Sequence, residues 1–426
     1  MNIDLHYDKQ FISLQIPDRN VEHIIRPWQT DRQPENASLI REALDCQSAR
    51  SFRKEIADKN LCVLTEDGTR EVPIEDILPP LCELLAAAAH VQFIIATGTH
   101  NACTPENQKI TQLIESAARS AAIENFTVHP HDCRRENFHN LGKTSRRTNL
   151  LVTDKADSAE IFLALSDIKT HYFAGYSNPI KNFVPGICSF ETTEQNHSLA
   201  LDENATFCRH PWHPNPKRQN NPLADDQLEA MNMILQNRPA YTLATISTAG
   251  KLQWAEFGDI RSITTRAIEQ VDRNNTHTVT PTPGLIVSPG GFPNDINLYI
   301  AQRALELTKN AVTDNGEILF LSACPGGIGE KHTIENFYNR LTAPIDQILK
   351  SIESDYKLYS HKPYKFAQLI RRLRKIWVHT MIPDSIIQAA HLYPTHSPMQ
   401  IINTWLAEDP DTKITIVDGA NKIALY

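Results

Sequence analysis

Three histidines, one lysine and an acid–hydroxyl–cation triplet are the groups in this chain whose types and spacing could do chemistry. His100 closes "ATGTH", His171 opens "HYFAGYS", and His197 lies in "TEQNHS". None of them falls in an apolar helical repeat, so the sequence places all three in glycine- and proline-marked loops. Histidine exchanges a proton near neutral pH, and its neutral ring is a common metal ligand. Acid/base catalysis and metal ligation are both open to the set. One histidine alone would mean little, since most are surface or satisfied core groups; three in turn-marked segments carry more weight.

Lys181 lies in "SNPIKNFVPGI", between Pro179 and Pro185. Glycine, proline, asparagine and aromatics crowd this stretch, where a helix or strand would fit poorly, and its stiff neighbours allow the amine to be presented to a pocket. "EDGTR" adds Asp67, Thr69 and Arg70, suited to hydroxyl and anion binding, although a simple polar turn has the same composition.

The elements that must position these groups read as an α/β pattern. "LCVLT" (61–65) and "QFIIATGTH" (92–100) are strand-like, and "IEDILPPLCELLAAAAH" (74–90) and "PENQKITQLIESAARSAA" (105–122) are helix-like. That alternation predicts a mostly parallel sheet, with "GTH" at the carboxyl end of a strand, where open α/β sheets place ligands. Thr104 and Pro105 form a helix start. A Pro/Asn-rich stretch over 200–225 reads as an excursion or lid. After the polar segment 269–284 the alternation restarts, with a helix opened by Pro293 and a strand ending at "ACPGG". Two α/β domains are expected: an N-terminal one over 1–272 and a C-terminal one over 278–405. Residues 406–426 supply strands of unassigned sheet membership.

A length of 426 residues suits two domains of about 150 to 250 residues each. The net charge of -8 argues against a broad nucleic-acid surface, and the run Arg371, Arg372, Arg374, Lys375 reads as a solvated helix face. No window has the unbroken apolar length of a membrane span, and the eight cysteines show no CxxC pair. A cytoplasmic protein with reduced thiols and no membrane or nucleic-acid partner is the expectation.

Taken in order, "DGTR", "GTH", "HYFAGYS", "KNFVPGI", "NHS" and "SPGGFPNDINLY" resemble the motifs of the lactate racemase family, which works with a nickel-pincer nucleotide. The resemblance implies an isomerase, a racemase or 2-epimerase of 2-hydroxy acids, with its active site in the cleft between two α/β domains. It implies that Lys181 carries the cofactor, a pyridinium-3,5-bisthiocarboxylic acid mononucleotide of nickel, and that His197 is the protein ligand to nickel. His100 and His171 would be the acid/base pair, Asp67, Thr69 and Arg70 would bind the cofactor, and Arg70, Tyr299 and Arg303 the substrate. Cofactor-synthesis enzymes are then implied partners.

The chain departs from the better-known racemases at several places. Asn178, Pro179 and Ile180 replace Gly-Gly-Arg, Asn101 replaces the arginine after "GTH", and Ile300 and Arg303 replace a glutamine and a lysine beside Tyr299. The later glycine turn is "CPGGIG" in place of a more acidic version. Isoleucine cannot hydrogen-bond as glutamine does, and arginine offers a fork in place of a point charge, so a substrate other than lactate is expected. Two other readings are a nucleotide-binding protein without turnover and a metal-dependent hydrolase. Two bases are superfluous for the first; the second wants carboxylate ligands, and only Glu191 and Glu194 lie between Lys181 and His197.

Overall fold

The computed structural model describes residues 1–28, 34–70, 72–248 and 250–426. They form two compact units, one of residues 29–271 and one of residues 1–28 with 272–426. The principal elements run β1 (Val21–Ile25), β2 (Asn60–Thr65), α1 (Ile74–Leu85), β3 (His90–Ile95), α2 (Pro105–Ser120), β4 (Phe126–Pro130) and β5 (Ile161–Asp167). Then come α3 (Ile180–Phe183), α4 (Phe190–Ser198), α5 (Pro222–Leu235), β6 (Ala240–Thr248), β7 (Lys251–Asp259) and β8 (Thr282–Ser288). The chain ends with α6 (Leu298–Thr308), β9 (Val312–Leu321), α7 (His361–Arg372), β10 (Lys375–His379), β11 (Tyr393–Pro394) and β12 (Ile414–Asp418).

The larger unit is built on a sheet of order β7-β6-β5-β2-β3-β4, parallel except where β7 returns beside β6. Its inner strands are buried on both faces, which is why "NLCVLT" and "IFLALSD" read as unbroken apolar runs rather than alternating ones. Leu61, Val63, Leu163 and Leu165 face one core with Ile77 and Leu81 of α1 and Ile110 and Ile114 of α2. Cys62, Leu64, Phe162 and Ala164 face the opposite core, with Phe183 of α3 and Met231 and Ile234 of α5. The chain leaves β2 toward one face and β5 toward the other, so the neighbouring carboxyl ends of β2 and β5 are a topological switch point, where α/β sheets leave a crevice.

The smaller unit is a wholly parallel sheet of order β11-β10-β9-β8-β12-β1. Residues 1–28, expected in the N-terminal domain, belong here, because β1 adds to the edge of β12 and Leu5, Tyr7 and Leu14 enter the same core as Ile286 and Ile416. The C-terminal residues thus supply an inner strand of this sheet, β12.

Local readings are revised in four places. The stretch around Lys181 is regular after all: Lys169–His171 pairs antiparallel with Gly175–Ser177, and one helical turn, α3, follows. Gly175 makes the hairpin possible at φ +78°, and Asn178 starts α3 by accepting the Ile180 N–H at 2.9 Å. The helix expected to open at Pro293 opens at Leu298, where Asn297 accepts the Ile300 N–H at 2.9 Å. The arginine run is not one helix face: Arg372 ends α7, Arg374 bonds Glu317 and Glu408, and Lys375 begins β10. The stretch 200–225 is an excursion packed onto its unit, with His210, Trp212 and His213 buried and α5 starting at Pro222.

A Cβ at Gly175 would lie 1.7 Å from the Arg209 carbonyl oxygen, whereas Gly250, also at positive φ, has nothing within 4 Å. Gly250→Ala should therefore cost only the left-handed backbone penalty, about 1 kcal/mol. Gly175→Ala adds the clash and should cost about 3 kcal/mol or more. Denaturant unfolding of the two variants measures the difference.

Candidate functional site

The loop after β2 holds Asp67 buried at the switch point. One carboxylate oxygen accepts the Thr69 hydroxyl at 2.6 Å and its N–H at 3.3 Å; the other lies 2.6 Å from Nδ1 of His100. That pairing places the His100 hydrogen on Nδ1 and leaves Nε2 as its basic nitrogen. Burial raises the Asp67 carboxyl, but the His100 bond and charge, with help from Arg70, outweigh it and hold the group below its ordinary value. The His100 side chain is 45% exposed, so its ring is anchored at one end and open to solvent over the rest. Arg70 is exposed at the end of the same turn.

A second group of residues meets around Phe173. The His171 ring centroid lies 4.4 Å from that of Phe173 and the His197 centroid 5.3 Å, both edge-on, while Lys181 Nζ sits 5.7 Å from the Phe173 centroid. Nδ1 of His171 accepts the Ala174 N–H at 3.2 Å, and its Nε2 faces Lys181 Nζ at 3.2 Å. His197 is on the last turn of α4, not in a loop as expected; Ser189 caps the helix by accepting the Thr192 N–H. Burial pushes the His197 imidazole down to about 3, so the ring is neutral at physiological pH.

The two groups are joined through backbone. The Gly98 N–H donates to the Gly186 carbonyl at 3.1 Å, tying the "GTH" loop to the segment that follows Lys181. Asn182, next to Lys181, donates to the carbonyls of Leu165 at 3.0 Å and Leu64 at 3.4 Å, fixing α3 to the ends of β5 and β2. Asn107 of α2 accepts the Gly68 N–H and donates to the Asn101 carbonyl, holding the loops after β2 and β3 together. Thr97 donates to the His131 carbonyl, and the His131 ring reaches the Cys188 carbonyl at 2.9 Å and Glu136 at 3.1 Å. Sequence reasoning missed Phe173, Asn107, Asn182 and the His131–Glu136 pair as site-building residues. Phe173 stood inside a quoted motif; the others carry no local signal.

Tyr299 and Arg303 belong to the smaller unit, one turn apart on α6. Lys362 of α7 donates to the Tyr299 carbonyl at 2.6 Å and sits 4.1 Å from its ring centroid. Burial, then the Arg303 charge, push the Lys362 amine down to about 7, and burial raises the Tyr299 hydroxyl. Ile300, the departure beside Tyr299, is 41% exposed. Among the described residues, no group of three or more His, Cys, Asp or Glu could hold a metal ion on protein donors alone, and no helix is long and apolar enough to cross a membrane.

Glu136 accepts from His129 at 2.7 Å, from His131 and from the Thr153 hydroxyl. Burial alone would raise its carboxyl, yet these partners hold it well below the usual carboxylate range. A depressed carboxyl contributes stability above its unfolded value, near 4.3, and loses it as pH falls through the folded value. Glu136→Gln should therefore lower stability by about 2 kcal/mol at pH 7 and progressively less below pH 4, as read from urea unfolding across pH.

Comparison with known proteins identifies the family and the fold. Residues 7–208 match the lactate racemase N-terminal domain and residues 279–423 the lactate racemase C-terminal domain. The lactate racemase of Thermoanaerobacterium thermosaccharolyticum is 27% identical over 350 residues, 79% of this chain and 77% of that protein. That of Lactiplantibacillus plantarum is 23% identical over 437 residues, 99% of each. The structure of the lactate racemase apoprotein from T. thermosaccharolyticum superposes with a TM-score of 0.84 at 22% identity over 100% of both chains. A Thermotoga maritima protein superposes at 0.61, with 14% identity over 93% of this chain and 99% of that one. With both domains of the family recognised in order along one chain, and the same α/β fold, the protein belongs to the lactate racemase family and is an isomerase of the racemase type.

Proposed function

We propose that the protein racemises or 2-epimerises a 2-hydroxy acid other than lactate, using a nickel-pincer nucleotide tethered to Lys181. The observation that carries this reading is the meeting of His171, Lys181 and His197 around Phe173, with His100 aligned by Asp67 on the adjoining loop. The residues present fit such a group. His197 is a neutral imidazole, the form that ligates a metal. A neutral His171 whose Nδ1 already accepts a hydrogen bond carries its hydrogen on Nε2, and the Lys181 nitrogen facing it then receives that hydrogen with a lone pair. An amine with an available lone pair is what a covalent tether requires.

When bound, the group would supply an electrophilic acceptor for hydride, which the side chains of this chain lack. The protein's own part is proton transfer and positioning. The α-hydrogen of a 2-hydroxy acid is poorly acidic beside a carboxylate, so removing the hydroxyl proton while hydride leaves the carbon is the easier route to a planar 2-keto acid. His100 would take the hydroxyl proton of one stereoisomer on Nε2 and return it to the other, and His171 would do the same for the opposite stereoisomer once its ring leaves the Ala174 N–H and frees Nδ1. Asp67 keeps His100 in the tautomer that leaves Nε2 free for that proton. Arg70 would meet a carboxylate or phosphate, and Asp67 and Thr69 would bind the nucleotide beside it. Tyr299 and Arg303 remain the substrate-binding candidates of the smaller unit, and Ile300 and Arg303 are the reason the substrate is proposed to differ from lactate.

A hydrolase with a protein-ligated metal is disfavoured by the lack of any three-residue donor cluster among the described residues. A carrier without turnover would have no use for the Asp67–His100 pair.

Intact-mass and metal analysis of protein produced together with cofactor-synthesis enzymes should find an adduct on Lys181 and one nickel, both absent in Lys181→Ala. No adduct and no nickel in the wild type would sink the reading. With a panel of single-enantiomer 2-hydroxy acids followed by chiral chromatography, His100→Ala and His171→Ala should each lower kcat/KM by about 10² to 10⁴. Activity that survives loss of both histidines would reject the two-base mechanism.

A further inference from the structure

The carboxyl ends of β2 and β5 carry a pair of acids that the proton chemistry above does not use. Glu66 follows β2 and Asp167 ends β5. One Glu66 oxygen accepts the Asp167 N–H at 3.2 Å and the Ser166 hydroxyl at 3.4 Å; the other, Oε2, is buried with no hydrogen-bond partner among the described residues. Asp167 is buried, 3.6 Å from Lys169 and 3.2 Å from the Thr245 hydroxyl. Both acids line a cavity of about 190 Å³ whose other walls include Arg70 and the apolar side chains of Ile110, Leu113 and Leu165.

A buried acceptor without a partner calls for one, and a cavity of this size has room for about six waters at ~30 Å³ each, or for a small ring. Burial raises both carboxyls, so the pair can hold a hydrogen and offer a donor as well as acceptors. A lining that combines such donors and acceptors with apolar side chains suits a sugar ring, which presents hydroxyls along its edge and C–H groups on its face. An acid that follows a strand end in an α/β sheet is also where ribose hydroxyls are commonly read. Asn182 ties the Lys181 helix to Leu64 and Leu165, two residues before Glu66 and Asp167 in their strands, so tether and cavity share one anchor.

We propose that Glu66 and Asp167 form a ribose-hydroxyl subsite in this cavity, occupied by the sugar of the nucleotide that Lys181 carries. This deepens the function proposed above and rests on it for the source of the sugar, not for the site. Calorimetry on the unloaded full-length protein with ribose 5-phosphate as probe should detect binding that weakens at least tenfold in Glu66→Leu. Leu113→Trp, which fills the cavity from its apolar wall, should weaken it equally. If Glu66→Leu fails to fold, as judged by circular dichroism, Glu66→Gln and Leu113→Trp decide the point. No binding by the wild type, or unchanged binding in the folded variants, overturns the subsite. In protein produced with cofactor-synthesis enzymes, intact mass should show the fraction of Lys181 carrying an adduct falling at least tenfold in the same variants. Adduct unchanged while ribose 5-phosphate binding is lost overturns the assignment to the tethered nucleotide and leaves a free nucleotide as the source. A wild type that binds ribose 5-phosphate but never carries an adduct overturns the function proposed above, and with it that assignment, but not the cavity.

Discussion

The parallel pairing of β2 with β5, with the chain departing to opposite faces of the sheet, is the constraint from which the rest of the site follows. Two neighbouring strands whose exits diverge cannot both have their carboxyl ends covered by the connections that leave them. The exposed ends then carry what the chain puts there: Glu66 and Asp67 after β2, Asp167 at the end of β5, and His171 four residues on. Burial of both faces makes the strands rigid supports, because shifting β2 by one residue would exchange Leu61 and Val63 with Cys62 and Leu64 between the two cores.

On that platform, the loops are held by a few backbone-directed bonds in addition to the Asp67–His100 pair. Asn107, Asn182 and Gly98 each join one functional loop to another element through an amide or carbonyl, so loop position is set by groups that do not titrate. The catalytic candidates are then free to change protonation without loosening the frame. Gly68 shows how close the approach is: a Cβ there would lie 2.3 Å from Cβ of Glu106 on α2. Glycine is needed at that point for space, not for an unusual backbone angle.

Much of the fold was legible because parallel α/β units announce themselves locally. The runs "LCVLT" and "QFIIATGTH" became β2 and β3, and Thr104 does cap α2, accepting the Asn107 N–H at 3.1 Å. What was not legible depends on distant partners. Residues 1–28 join the smaller unit because β12, almost four hundred residues later, offers β1 an edge, and nothing in "VEHII" says so. The regularity around Lys181 was hidden because Gly, Pro and Asn usually break structure, whereas here Gly175 supplies the turn and Asn178 the cap that start it. His197 read as a loop residue because α4, "FETTEQNHS", has little apolar periodicity; its burial, with Phe173 among its neighbours, is not written in its own pattern.

Phe173 explains why histidine and lysine can share this pocket at all. Its apolar ring lies against His171, His197 and Lys181, and burial is the main force keeping His197 neutral. The same ring offers its face to a cation and its body to two imidazole edges, so it tolerates either protonation state of the lysine while holding all three side chains at fixed separation. A polar residue there would hydrate the pocket and let His197 titrate; a smaller apolar one would leave it dry but let the three groups drift. Both requirements, dryness and spacing, are met by one aromatic side chain that itself has no group to protonate, reduce or ligate.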